Sequence, residues 1–262
     1  QCDAAMAPAQ QLLDVAQASG DRLFEMIGHR AVGGVAFHIG DPVSARGHLE
    51  RALALYEPEQ HARLAFSLGI DHKVVASNFL SLSLLVQGEA DAALQVQQQG
   101  LAWADQLDHA HSTAQALVFT CLLLAVNEDW KAVPPLAERT IDLGRRRGFP
   151  LMESGGRFFL AASRAFRGEA AQALPEMDEA ATRWWGTGAR NYRPFCELLQ
   201  ARVRDAGVSA HYETSIDSIE RFAGYDLIVA ADGLNSMVRR SFEKEFGTSV
   251  THSSNKFAWY GT

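Results

Sequence analysis

Val74-Val75-Ala76-Ser77-Asn78-Phe79-Leu80-Ser81-Leu82-Ser83-Leu84-Leu85-Val86-Gln87-Gly88-Glu89-Ala90-Asp91-Ala92-Ala93-Leu94-Gln95-Val96-Gln97 sets the pattern for most of the chain. Apolar residues recur at i, i+3 and i+4 on both sides of Gly88-Glu89, the spacing of one helical face on each arm. Glycine suits a helix end with positive φ, and the acid after it suits the start of the next helix. The stretch predicts two antiparallel helices joined by a tight turn.

The same arrangement recurs. Gly40-Asp41, Asn127-Glu128 and Gly168-Glu169 are the other turns, and their spacings are 88−40=48, 127−88=39 and 168−127=41. Seven residues before each turn stand Gly33, Ser81, Thr120 and Ala161, all small. Five after stand Ala45, Ala93, Ala132 and Ala173, and nine after stand Leu49, Gln97, Leu136 and Met177. Two helices approach closely only where side chains are small, so a small residue facing alanine marks each crossing. The spacing predicts about four helical hairpins over residues 23–197, after an N-terminal helix or flank at 1–22.

This small-to-alanine spacing resembles the tetratricopeptide repeat, with a longer period than its usual ~34 residues. His48-Leu49-Glu50-Arg51-Ala52-Leu53-Ala54-Leu55-Tyr56, followed by Pro58-Glu59-Gln60-His61, is similar to the repeat tail of bacterial adenylate-cyclase-type and other ATPase regulators. The resemblance implies a helical superhelix whose concave face binds a protein or peptide. The cyclase and ATPase domains of those regulators have no counterpart in these residues.

The character changes after residue 197. Leu198 to Arg204 reads as a last helix, capped by Gly207; Val208 to Glu213 and Tyr225 to Ala231 read as strands. The predicted fold class is therefore mainly α, with a small α/β fragment at 198–262. Asp226-Leu227-Ile228-Val229-Ala230-Ala231-Asp232-Gly233-Leu234-Asn235-Ser236-Met237-Val238-Arg239 resembles the Asp-Gly motif of flavin-dependent aromatic hydroxylases. Lys256-Phe257-Ala258-Trp259-Tyr260-Gly261-Thr262 is similar to the salicylyl-CoA hydroxylase branch. The resemblance implies that Asp232, Gly233, Ser236 and Arg239 are cofactor-binding residues, for FAD and NAD(P)H. The G-x-G-x-x-G loop that would cradle the FAD pyrophosphate does not occur; Gly186-Thr187-Gly188 is the nearest string, and it follows a helical pattern. The expectation is that the chain holds no cofactor and is not catalytic by itself.

Composition narrows the rest. A formal charge of −7 argues against nucleic-acid partners, which require a basic face. The longest apolar stretch, Ala116 to Val126, is too short to span a bilayer, and no secretory leader is visible. Cys2, Cys121 and Cys196 form no CxxC pair, which points to a reducing cytoplasm; Cys121 reads as a small buried hydrophobe. His109 and His111 make an isolated HxH, expected at a loop rather than on a metal. Arg145-Arg146-Arg147-Gly148 is expected as a solvated helix end, stopped by Pro150. The chain begins at Gln1, which suggests a fragment or processed product. Three functional readings result: an interaction scaffold with a noncatalytic tail, part of an aromatic-ring monooxygenase, or a chimeric or truncated product with no joint function.

Overall fold

A computed structural model describes residues 2–189 and 191–206, with isolated positions at 218 and 244. The described residues include twelve α-helices and one π-helical segment, Ala165–Glu169, which carries the Gly168 turn. The α-helices are α1 (Cys2–Ser19), α2 (Arg22–His38), α3 (Pro42–Leu55), α4 (Pro58–His61), α5 (Leu64–Leu68), α6 (His72–Val86), α7 (Ala90–Leu107), α8 (Ala110–Val126), α9 (Val133–Arg147), α10 (Pro150–Arg164), α11 (Ala170–Gly186) and α12 (Arg193–Ala206). No strand occurs among the described residues. The expected strands, and with them the α/β fragment, lie outside those residues.

Hairpins α2/α3, α6/α7, α8/α9 and α10/α11 stack in chain order, with α1 against α2 and α12 against α11. First helices α2, α6, α8 and α10 also contact one another in sequence, forming an inner layer. Consequently α8 is buried nearly all round, from Ser112 to Ala125, including Cys121. It shows no amphipathic stripe because it has neighbours on every side. The first compact unit spans Gln1–Val208 and the second Ser209–Thr262. A division at 197/198 would fall within α12, which packs as part of the helical unit.

The turns correct the expected register. Gly40, Gly88 and Gly168 have positive φ, but at the third turn the left-handed residue is Glu128 (φ 59), while Asn127 has φ −79. The hydrogen bonds agree. Gly40, Gly88 and Glu128 donate to the carbonyls of Phe37, Leu85 and Ala125; Asp41, Glu89 and Asp129 donate to those of Ala36, Leu84 and Leu124. That six-to-one closure is the Schellman arrangement. The true spacings are therefore 88−40=48, 128−88=40 and 168−128=40.

In the corrected register the crossing positions become uniformly buried. Seven before the turn stand Gly33, Ser81, Cys121 and Ala161; five after stand Ala45, Ala93, Val133 and Ala173; nine after stand Leu49, Gln97, Ala137 and Met177. All but Gly33 are at most 1% exposed, and Gly33 is itself buried. Thr120, Ala132 and Leu136, expected at these positions, lie one residue off, and the latter two are only half-buried. The longer first period comes from the connection 56–71, which carries α4 and α5, whereas α7 and α8 are joined through 108–109 alone.

Two further expectations change. Gly148, with φ 69, ends α9, so Pro150 does not stop that helix but opens α10, where its missing N–H costs least. The acid that caps the third turn is Asp129, whose Oδ1 accepts from the Ala132 N–H at 3.3 Å, not Glu128. Glu128 instead pairs with Arg202 of α12 at 2.8 Å.

Close approach occurs at further points, both between hairpins and within one. A Cβ on Gly156 of α10 would sit 2.9 Å from the Ala137 carbonyl of α9, and one on Gly100 of α7 would sit 2.7 Å from Ser77 Cβ of α6. By contrast, Gly47 on the exposed side of α3 has nothing within 4 Å. Gly156→Ala should therefore destabilise the fold by about 1–3 kcal/mol through overpacking. Gly47→Ala should stabilise it by about 0.5–1 kcal/mol through helix propensity. Urea unfolding of both variants checks the opposite signs.

Candidate functional site

The four residues expected at a cofactor, Asp232, Gly233, Ser236 and Arg239, lie outside the described residues. Gly186-Thr187-Gly188 terminates α11, with Gly188 at φ 89, and follows a helix rather than a strand. Among the described residues, no group of three or more His, Cys, Asp or Glu lies together as a metal site, and no helix is long and apolar enough to cross a membrane.

One polar cluster has the residue types of a catalytic site. Asp71 caps α6 and is 1% exposed. Its Oδ2 accepts from the Tyr56 hydroxyl at 2.6 Å, and its Oδ1 accepts from the Val74 N–H at 2.9 Å and the Trp103 Nε1–H at 3.2 Å. The Asp71 N–H donates to Ser112 Oγ at 3.0 Å, and Ser112 Oγ lies 2.9 Å from His109 Nδ1. The Asp71 carboxylate is saturated by three donors and makes no hydrogen bond to His109. Ser112 is fully buried and lines none of the described cavities. Serine, histidine and aspartate here fasten the α5–α6 connection to α7 and α8, and the serine and aspartate are buried. Burial, then Asp71, push the Tyr56 phenol well above its ordinary pKa, so it remains a donor.

The HxH pair divides accordingly. His109 occupies the turn before α8, and His111 sits half-buried with its ring edge-on to Phe149. Arg145, Arg146 and Arg147 occupy the last turn of α9; Arg146 pairs with Asp142, and Arg145 lies 3.7 Å from Glu153.

The hollow that can accept a ligand lies on the inner layer. Its volume is about 180 Å³, and its walls come from α6 (Phe79), α8 (Gln115, Val118, Phe119, Leu122), α10 (Leu151, Met152) and α11 (Trp184). His38 at the end of α2 and the segment after α11, with Ala189, Asn191 and Tyr192, complete it. His38 Nδ1 lies 2.7 Å from the Gly34 carbonyl, and Asn191 Nδ2 lies 3.3 Å from His38 Nε2. A hydrogen on Nδ1 satisfies both contacts. Phe79 and Phe119 meet edge-to-face at 5.5 Å, and Tyr192 meets Phe119 at 5.7 Å. A neighbouring hollow of about 330 Å³ shares His38, Phe79 and Asn191 and reaches Arg30 on α2.

Two residues that line the first cavity each carry a buried polar atom without a partner: the Tyr192 hydroxyl and Gln115 Oε1. Burial raises the Tyr192 pKa, keeping the phenol neutral. None of these residues was a site candidate from sequence. Phe119 lies within the apolar stretch Ala116 to Val126, and Gln115 directly precedes it. Tyr192 carried no signal, because its place depends on the chain returning 153 residues later to His38 through Asn191.

No family model matches the chain. A 77-residue stretch is 34% identical to a salicyloyl-CoA 5-hydroxylase from a Streptomyces species. The match covers 29% of this chain and 15% of that enzyme's length. A hydroxylase-like region is therefore present in the chain, and the described residues are mainly helical.

Acid should weaken the fold through His72. Both its ring nitrogens are buried without partners, and burial, with Arg30 and His61 nearby and despite Asp71, lowers its pKa to about 4. Below its ordinary pKa of 6.5 the unfolded chain takes up a proton that folded His72 refuses. Its contribution is thus intact above pH 6.5 and lost as pH falls toward about 4. Urea unfolding across that range should show a loss on the order of 2–3 kcal/mol from this group. His72→Leu should flatten that part of the profile.

Proposed function

We propose that the chain is an interaction scaffold of tetratricopeptide-like hairpins that binds a protein or peptide on its inner layer. The observation that carries this reading is the groove on α2, α6 and α8, where His38, Phe79 and Asn191 border two adjoining hollows. Stacked helical hairpins commonly recognise partners on such a surface. Aromatic anchors seated in pockets supply most of the affinity at such contacts. The hydroxylase-like region is an appendage in this reading. Mild net acidity suits a partner that is not a nucleic acid.

A second reading is favoured by the 34% match: a portion of a FAD-dependent aromatic-ring monooxygenase acting on an aryl-CoA. Asp232, Gly233, Ser236 and Arg239 would then contribute to FAD and NAD(P)H binding. Against independent catalysis, the sequence has no G-x-G-x-x-G cradle, so these residues do not compose a complete flavin site. A chimeric or truncated product is the third reading, in which the two parts have no common task.

Selection of peptides on the purified chain tests the scaffold. Bound peptides should protect α2, α6 and α8 from hydrogen exchange, and Phe79→Glu should weaken them about tenfold or more with unchanged helical circular dichroism. Peptides indifferent to Phe79→Glu would move binding away from this groove. Copurification of stoichiometric flavin, read from its visible absorption, would establish the monooxygenase reading instead.

A further inference from the structure

We infer that His29 of α2 and His48 of α3 form a two-histidine site for a divalent transition metal of the copper(II) or nickel(II) class, bridging the first hairpin. The two Nδ1 atoms lie 3.0 Å apart. A first-row metal bonds an imidazole nitrogen at about 2.1 Å, so an ion shared by both rings would meet them at an angle of about 90°. That is the cis angle of a square-planar or octahedral site, the geometry of nickel(II) and copper(II). A tetrahedral zinc ion with the same bond length would need nitrogens about 3.4 Å apart. The rings are tilted by 43° with centroids 5.1 Å apart, so they do not stack on one another.

Glu25 supplies an independent reason. A histidine that binds metal through one nitrogen usually directs its other N–H at a carboxylate, which fixes the tautomer and raises the ring's basicity. Glu25, four residues before His29 on α2, places Oε1 3.8 Å from His29 Nε2. This is longer than a hydrogen bond, but it sets a negative charge beside the nitrogen that must carry the hydrogen. Arg51 of α3 lies 3.4 Å from the same oxygen. The carboxylate thereby offsets the one guanidinium that faces the pair from α3 at this range.

Without metal, one Nδ1 donates its hydrogen to the other. Binding needs both Nδ1 lone pairs, so that hydrogen leaves to solvent and Nε2 of the same ring takes one up. No proton is released overall. Burial lowers the pKa of both rings, so both are neutral at pH 7.5. Both side chains are half-buried rather than sealed, and water fills the remaining coordination positions.

Nickel(II) is the probe, because it is redox-inert under ordinary conditions. Nickel, zinc and magnesium chlorides are titrated by calorimetry into the full chain carrying Cys2→Ser, which removes a competing thiol ligand. Nickel should saturate one site below about 1 mM, zinc should bind at least about threefold more weakly, and magnesium should not bind. His29→Gln and His48→Gln should each lower nickel affinity at least about tenfold, and Glu25→Gln about tenfold through the lost outer carboxylate. Saturating nickel should raise the Tm of the parent and not that of His29→Gln. Nickel binding unchanged in both histidine variants, no saturation by about 1 mM, or zinc binding as tightly as nickel would overturn the inference. Circular dichroism verifies folding. Should the histidine variants misfold, paramagnetic broadening of the unaltered rings decides: His29 and His48 must broaden first among the nine histidines, and any other order sinks the site.

Discussion

Every hairpin rests on one steric constraint: two helices must approach closely on either side of a turn held by a left-handed residue. At the first crossing, a Cβ on Gly33 would lie 2.6 Å from Leu49 Cγ and 3.1 Å from the Ala45 carbonyl. At the others, Ser81, Cys121 and Ala161 occupy the equivalent place, against Ala93, Val133 and Ala173. Larger residues there would force the helices apart and open the layer between hairpins. Interiors are dense enough that one methylene matters at such points. The hydrogen-bond closure at 40, 88 and 128 fixes where each crossing falls, so turn geometry and crossing chemistry have to agree.

Buried polar groups then fasten one hairpin to the next. Gln97 stands where the other hairpins place Leu49, Ala137 and Met177. Its amide nitrogen lies within hydrogen-bond reach of Asn78 Oδ1, Thr120 Oγ1 and the Ala116 carbonyl, and its Oε1 accepts from Ser81. One side chain on α7 thus engages both α6 and α8. Asp71 acts similarly in the long first connection, where Tyr56, Val74 and Trp103 all donate to it. Buried hydrogen bonds of this kind favour one arrangement of helices, because a slip would break several of them at once. The exposed ion pairs, such as Arg164 with Glu176, add little by comparison.

The inner layer differs from this closely filled interior. Around Gln115 and Tyr192 the structure leaves space and leaves polar atoms unmatched, although a few residues away Gln97 is satisfied. Gln97 joins helices, whereas Gln115 belongs to the wall of a cavity. The return of Asn191 to His38 links the last hairpin to the first described one, so the cavity depends on the whole stack rather than on one repeat.

The helical hairpins were legible because glycine marks a left-handed turn and apolar spacing marks a face, both local properties. The third turn was misplaced by one residue because Asn127 has the better local preference, while the chain takes its positive φ at Glu128. The closure onto Leu124 and Ala125 and the burial of Val133 and Ala137 outweigh that preference. The Asp-Gly motif was also legible as a string, and the 34% match supports a hydroxylase-like region. Sequence by itself determined the helical class, three of the four turns and the presence of that second region, since each is written in neighbouring residues. Only tertiary structure decided the register of the third hairpin, the merely structural role of Ser112, His109 and Asp71, and the cavity at Tyr192. These depend on residues far apart in the chain reaching one another, and no local spacing encodes that distance.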